Sequence, residues 1–168
     1  MCEQEIPVVV LAAGESKRFG SPKQLANWQN IPMLQNVLNN IQACGLEAYV
    51  ALGAHFEEIT SHPHVSISNN KIIKVVAWQS GLSQTIRESV RFFEHQSIKG
   101  IIFLLGDQPL LDKRYLKRFF EAIRNDSSEM LATVYSDNEN NMGVPASFPS
   151  STFNQLSHLK GDQGAKSL

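Results

Sequence analysis

The sequence predicts an α/β fold with a mostly parallel sheet, built as one domain over residues 1–168. Three observations carry this. Unbroken apolar runs such as "IPVVVLA" (6–12) and "GIIFLLGD" (100–107) suit strands buried on both faces, which lack the alternation of half-exposed ones. Amphipathic segments of helical period fall between such runs. The 168 residues, 42% of them hydrophobic, suffice for one core without disulfides or metal.

Taken in order, residues 6–12 are the first strand. Residues 32–44 place Leu34, Val37, Leu38 and Ile41 at helical spacing, with Pro32 suited to the first turn and Gly45 to the stop. A strand at 47–53, a short helix at 55–60 and a strand at 71–78 follow. The segment 82–96 carries Ile86, Val90 and Phe93 along one face of a helix. After the strand at 100–107, a helix at 112–124 has Asp112 as its cap and Tyr115, Leu116, Phe119, Phe120 and Ile123 as its apolar stripe. Strands at 129–136 and 143–148 and an amphipathic helix at 150–159 complete the order.

Fifteen Lys and Arg against sixteen Asp and Glu give a net charge of -1, which argues against a general nucleic-acid binder. No apolar stretch approaches the ~20 residues that cross a bilayer, and the N-terminus lacks the apolar region of a signal peptide. The expectation is a cytoplasmic monomer with neither nucleic acid nor membrane as partner. Cys2 and Cys44 form no metal or redox spacing and are expected as reduced thiols. His55, His62, His64, His95 and His158 match no motif and are expected at the surface.

Parallel sheets bind ligands at the carboxyl ends of their strands. The loops at 12–23 and 106–109 are therefore the candidate site. In the first, bare glycine backbone offers N–H groups to an anion. The spacing fits neither GxGxxG nor the Walker loop, since Gly14 and Gly20 lie six residues apart and Ser21-Pro22 follow. Lys17, Arg18 and Lys23 gather there, as a polyanion such as a nucleoside triphosphate requires; a solvated surface loop has the same composition. In the second loop, Asp107 is a hard carboxylate suited to Mg²⁺, with Pro109 fixing the turn behind it.

"LAAGESKRFGSPKQL" (11–25) closely resembles the signature of the MobA-like nucleotidyltransferases, L-A-[AG]-G-x-S-x-R-[MF]-G-x-x-K-x-L. The resemblance implies a Rossmann-like three-layer sandwich of the nucleotide-diphospho-sugar transferase type. It places Leu11, Ala12, Ala13, Gly14, Ser16, Arg18, Gly20 and Lys23 around the nucleotide, with Arg18 and Lys23 on the triphosphate and Lys17 in solvent. "GDQP" (106–109) and the "LAAG" spelling resemble the molybdopterin cytidylyltransferase branch, pointing to CTP rather than GTP.

"WQSGLSQTI" (78–86) resembles the branch's W-x-x-G-[LM]-x-x-S-L, which puts Gly81 and Ser83 beside the nucleotide. Thr85-Ile86 replace Ser-Leu there, and Val75-Val76 stand in place of Asn-Pro. Trp78 fits a core position and a site position equally well. Residues 141–166 resemble the branch's acceptor segment, implying Gln108, Gly143, Pro145, Gly161, Asp162, Gly164 and Lys166 on the acceptor side. Lys166 stands where Arg is usual, so the bidentate fork is lost.

The implied reaction moves CMP from CTP to the phosphate of molybdopterin, with Arg18, Lys23 and Asp107 as the catalytic set and Mg²⁺ on Asp107. A molybdoenzyme would receive the product. The family continues with a strand ending in a D-I-D-T-P-like element that supplies a second carboxylate, whereas this sequence ends at Leu168; Asp162 is a candidate substitute. Two alternatives stand: another acceptor or nucleotide (a sugar phosphate, or GTP), and a non-catalytic carrier of nucleotide or cofactor.

Overall fold

The computed structural model describes residues 5–135, 141–162 and 164–168. Its elements run β1 (Val8–Ala12), β2 (Asn27–Trp28), β3 (Ile31–Pro32), α1 (Met33–Gln42), β4 (Ala48–Leu52), α2 (Phe56–Thr60), β5 (Ile72–Lys74), α3 (Leu82–Phe92), β6 (Gly100–Leu105), α4 (Lys113–Asn125), β7 (Leu131–Val134), β8 (Met142–Pro149) and α5 (Phe153–Ser157). Six strands form one sheet in the order β5-β4-β1-β6-β8-β7. The β5-β4, β4-β1 and β1-β6 pairs are parallel; β8 runs antiparallel to β6 and to β7. This is the expected mostly parallel α/β sheet.

The core lies on both sides of it, because each central strand is apolar at odd and even positions alike. Val8, Val10 and Ala12 of β1, with Val50, Leu52, Ile102 and Leu104, face α1 and α4. Val9, Leu11 and Ala13, with Ala51, Ile101 and Phe103, face α3 and Leu156 of α5. The result is a helix–sheet–helix sandwich, and burial of these side chains supplies its main stabilisation.

The chain places β4 on one side of β1 and β6 on the other. A crevice opens where the direction of winding reverses, at the carboxyl ends of β1 and β6. Leu11 lies opposite Leu105, and the Gly106 N–H donates to the Leu11 carbonyl at 3.1 Å. The loops after Ala12 and Leu105 therefore leave the sheet side by side.

Several elements depart from expectation in extent. The strand expected at 71–78 is Ile72–Lys74; Val75 remains buried, Val76 is exposed, and Trp78–Ser80 form a 3₁₀ turn. The helix expected at 82–96 stops at Phe92. Asp112 caps α4 as expected: its carboxylate accepts from the Tyr115 N–H at 2.8 Å, and that bond holds its carboxyl below the ordinary carboxylate range. Cys44 is a free thiol, and burial pushes its ionisation up. Cys2 lies outside the described residues, as does the end of the strand expected at 129–136. His64, His95 and His158 are exposed as expected, while His55 and His62 are half-buried.

At the start of α3, Gly81 has φ +89°, and a Cβ there would lie 2.0 Å from Asp162 Oδ1. Gly81→Ala is expected to destabilise the fold by about 1–3 kcal/mol, because both the backbone conformation and the space require glycine. Urea unfolding followed by circular dichroism measures this, and wild-type stability would contradict it.

Candidate functional site

The crevice is a cleft of about 840 Å³ between the loop after β1, the start of α3 and the end of β6. Leu11, Ala12, Ala13, Gly14, Ser16, Arg18 and Lys23 line it from the first loop, Gly81 from the second segment and Asp107 from the third. Asp162, expected on the acceptor side, lines the same cleft. Phe19, Gln24, Trp78, Gln79 and Thr85 join them. Trp78 is half-buried and serves both of its expected roles, touching the α3-side core and forming cleft wall.

The first loop needs unusual backbone. Ser16 has φ +57° and Gly20 φ +77°. The Ser16 carbonyl accepts from the N–H groups of Phe19 (2.8 Å) and Gly20 (3.3 Å), which closes a tight turn and sends the chain back toward the sheet. Lys23–Leu25 then form a 3₁₀ turn that carries Lys23 and Gln24 beneath the loop. Gln24 is buried, and its side-chain amide donates to the carbonyls of Ala12 (3.0 Å) and Gly14 (3.3 Å). From the β4 side, the Ala54 N–H donates to the Ala13 carbonyl at 3.1 Å. His55 Nε2 lies 3.0 Å from the Glu15 carbonyl, a bond that requires the proton on Nε2, while its Nδ1 sits 3.4 Å from Glu58.

Charge is concentrated where the two loops meet. Lys23 Nζ lies 3.5 Å from Asp107 Oδ2, with 48% and 32% of the respective side chains exposed. Both groups are thus wet enough to exchange partners. Arg18 is exposed at the cleft and free to turn toward a ligand. Lys17 pairs with Glu15 at 3.3 Å and is largely exposed, yet it too borders the cleft, where it was expected only in solvent. Among the described residues no cluster of three or more His, Cys, Asp or Glu side chains could hold a metal by itself. A cation here would draw most of its ligands from a bound phosphate chain, which suits Mg²⁺ with one or two protein carboxylates.

Other expected residues lie elsewhere. Gly20, Ser83, Gln108, Gly143, Pro145, Gly161, Gly164 and Lys166 are not in the cleft wall. Ser83 is buried; its N–H donates to the Gly161 carbonyl at 3.1 Å, and its hydroxyl has no partner among the described residues. Pro145 is buried in β8. Lys166 is exposed. Gln108 is a brace: its amide donates to Tyr135 Oη (2.7 Å) and to the Val144 carbonyl (3.2 Å), and its oxygen accepts from the Leu105 N–H (3.4 Å). The Tyr135 hydroxyl in turn donates to the Val144 carbonyl. Burial pushes the Tyr135 phenol up, so it stays a neutral donor near pH 7.

Sequence reasoning missed Gln24, His55 and Thr85. His55 had a usable signal, since it lies in the loop just beyond the carboxyl end of β4, which closes at Leu52. Gln24 had none, because a glutamine whose amide donates to backbone carbonyls leaves no trace in composition.

The family model of the MobA-like NTP transferase domain matches residues 8–168. The crystal structure of Rv0371c from Mycobacterium tuberculosis in complex with manganese superposes with a TM-score of 0.75 at 25% identity, covering 94% of this chain and 78% of that one. A probable molybdenum cofactor guanylyltransferase from Bacillus cytotoxicus is 22% identical over 126 residues, 75% of this chain and 61% of that protein. The bifunctional protein GlmU of Bartonella bacilliformis is 27% identical over 138 residues, 80% of this chain and 30% of that protein. The chain thus spans less than two thirds of the length of either of these two relatives. No helix among the described residues is long and apolar enough to cross a membrane. With its cleft at the reversal of a mostly parallel sheet and a match running from β1 to its last residue, the chain belongs to the MobA-like NTP transferase family, a family of nucleotidyltransferases.

Proposed function

We propose that the protein transfers CMP from CTP to the terminal phosphate of molybdopterin, releasing pyrophosphate. The observation that carries this is the meeting of Lys23 and Asp107, 3.5 Å apart, from loops that leave adjacent strands. A cation donor and a carboxylate at one point of a cleft are what a metal-bound triphosphate needs. The "LAAG" and "GDQP" spellings of the two loops favour cytidine. Relatives named molybdenum cofactor guanylyltransferases favour GTP as the second reading, with the same chemistry and a different base.

Asp107, with Asp162 in the same cleft, would hold Mg²⁺. Bound there, the ion would neutralise phosphate charge; the manganese complex of a relative supports a divalent cation at this fold. Backbone of Ala12, Ala13 and Gly14 forms the floor under the nucleotide. Arg18 forks onto phosphate oxygens, and Lys23 leaves Asp107 for the phosphates, so both stabilise the departing pyrophosphate. The attacking oxygen of the acceptor phosphate is already anionic at neutral pH, so no general base is required. Catalysis would rest on positioning and charge neutralisation. Gly143 and Pro145, at the start of β8 beside the end of β6, lie on the proposed acceptor side.

The direct test is pyrophosphate release with molybdopterin as acceptor and CTP, GTP, ATP or UTP as donor. Turnover with CTP alone is expected; turnover with GTP alone establishes the second reading. Nucleotide binding without release under any pairing would leave a carrier and remove the enzyme. Asp107→Ala is expected to fold and to lose activity by about 10²-fold or more, the scale of a lost charge-stabilising group. Wild-type release from that variant sinks the assignment of Asp107. Arg18→Ala is expected to raise the KM for CTP by about tenfold, the equivalent of one charge-assisted bond, while the KM for the acceptor stays put. Steady-state kinetics with each substrate varied in turn separates the two.

A further inference from the structure

We infer that Gln24 is the positioning residue of the phosphate loop: its buried amide holds the carbonyls of Ala12 and Gly14 and so turns the N–H groups of Ala13 and Glu15 toward the anion. The assignment rests on the nucleotide reading of the cleft and adds to it a residue that does not touch the ligand through its own charge.

Successive carbonyls of the loop alternate between two clamps. Those of Ala12 and Gly14 accept from Gln24 Nε2 at 3.0 and 3.3 Å. Those of Ala13 and Glu15 are held from the β4 side by the Ala54 N–H (3.1 Å) and His55 Nε2 (3.0 Å). The Ser16 carbonyl is taken by the turn at Phe19 and Gly20. Every carbonyl from Ala12 to Ser16 is therefore occupied within the protein. The N–H groups of Ala13, Gly14, Glu15 and Ser16, by contrast, donate to no acceptor among the described residues. Across each peptide unit the N–H points away from the C=O. Fixing the carbonyls of Ala12 and Gly14 on Gln24 consequently directs the N–H groups of Ala13 and Glu15 away from it.

An unbonded loop of this composition would rotate its peptides freely and offer carbonyls, which repel phosphate, as often as N–H groups. Gln24 is suited to prevent that. Both of its amide hydrogens are used on carbonyls, and its oxygen lies 3.5 Å from the Ser16 hydroxyl. That hydroxyl accepts from the Lys23 N–H at 3.2 Å. One buried side chain thus fixes two peptide units of the loop and, through the Ser16 hydroxyl, reaches the seat of the adjacent Lys23. An acidic or purely acceptor side chain would not serve, since the groups to be held are themselves acceptors. At 5% exposure, Gln24 is shielded from competing water.

The test is Gln24→Met, which keeps length and removes both donors. Binding of inorganic pyrophosphate, CTP and cytidine is measured by calorimetry on the full chain, beside thermal unfolding. Wild type is expected to bind pyrophosphate and CTP. Gln24→Met is expected to weaken both by about tenfold or more, with cytidine binding changed less than twofold and a folded baseline retained. Equal loss for cytidine, or pyrophosphate binding as in wild type, overturns the role of Gln24. If Gln24→Met does not fold, Gln24→Asn, which keeps the donors on a shorter arm, is read the same way: a loss confined to phosphate-bearing ligands supports the assignment, and any other pattern overturns it. Failure of the wild type itself to bind pyrophosphate and CTP would instead overturn the nucleotide reading.

Discussion

The parallel ladder between β1 and β6 is the interaction on which the site depends. It sets Leu11 against Leu105, and one residue later the Gly106 N–H reaches the Leu11 carbonyl. Two stretches far apart in sequence then leave the sheet as neighbours, one bearing Lys23 and the other Asp107. Small residues make the approach possible. A Cβ on Gly106 would lie 3.2 Å from Ala12 Cβ and 3.3 Å from Leu34, so bulk at this corner would push the loops apart. Because β1 is buried on both faces, the helices of both layers hold this ladder in place and transmit their packing to the site.

The antiparallel part of the sheet has a different use. A strand running against β6 begins at the end where β6 stops, so Met142, Gly143 and Val144 arrive beside the site rather than beneath it. Gln108 and Tyr135 join this corner to the end of β6 through the Val144 carbonyl. The cleft wall comes from loops after parallel strands, whereas the start of β8 lies beside that wall and is braced by side chains.

How much of this was legible in the sequence follows from the kind of signal each part leaves. β1 and β6 were plain because burial on both faces demands unbroken apolar runs. The β2–β3 hairpin was not, since strands of two residues carry no periodicity, although Gln29 and Asn30 at positive φ form its turn. β5 was read too long because Val75, Val76 and Ala77 look like strand although the chain turns there. In the site, Arg18, Lys23 and Asp107 were legible because clustered charge in a glycine loop, and a carboxylate at a strand end, are rare without cause. Gln24 and His55 act through backbone carbonyls, a role any segment can require and no spacing announces. Ser83 and Gln108 show the reverse: polar residues inside a recognisable motif, one buried and the other spent on bracing the scaffold.

The ion pair between Lys23 and Asp107 also lets the two charges of the cleft neutralise each other. A cation that captures Asp107 sets Lys23 loose, and an anion that captures Lys23 bares Asp107. Each ligand thereby removes the competitor of the other, and thermodynamic reciprocity makes their affinities rise together. The pair behaves as a latch with two keys. Either alone must break the attraction between ammonium and carboxylate for one new contact, whereas a metal-chelated polyphosphate breaks the same pair once and replaces both of its contacts. On the proposed roles of these two side chains, the chelated form would be favoured over the bare anion before any contact with the base is made.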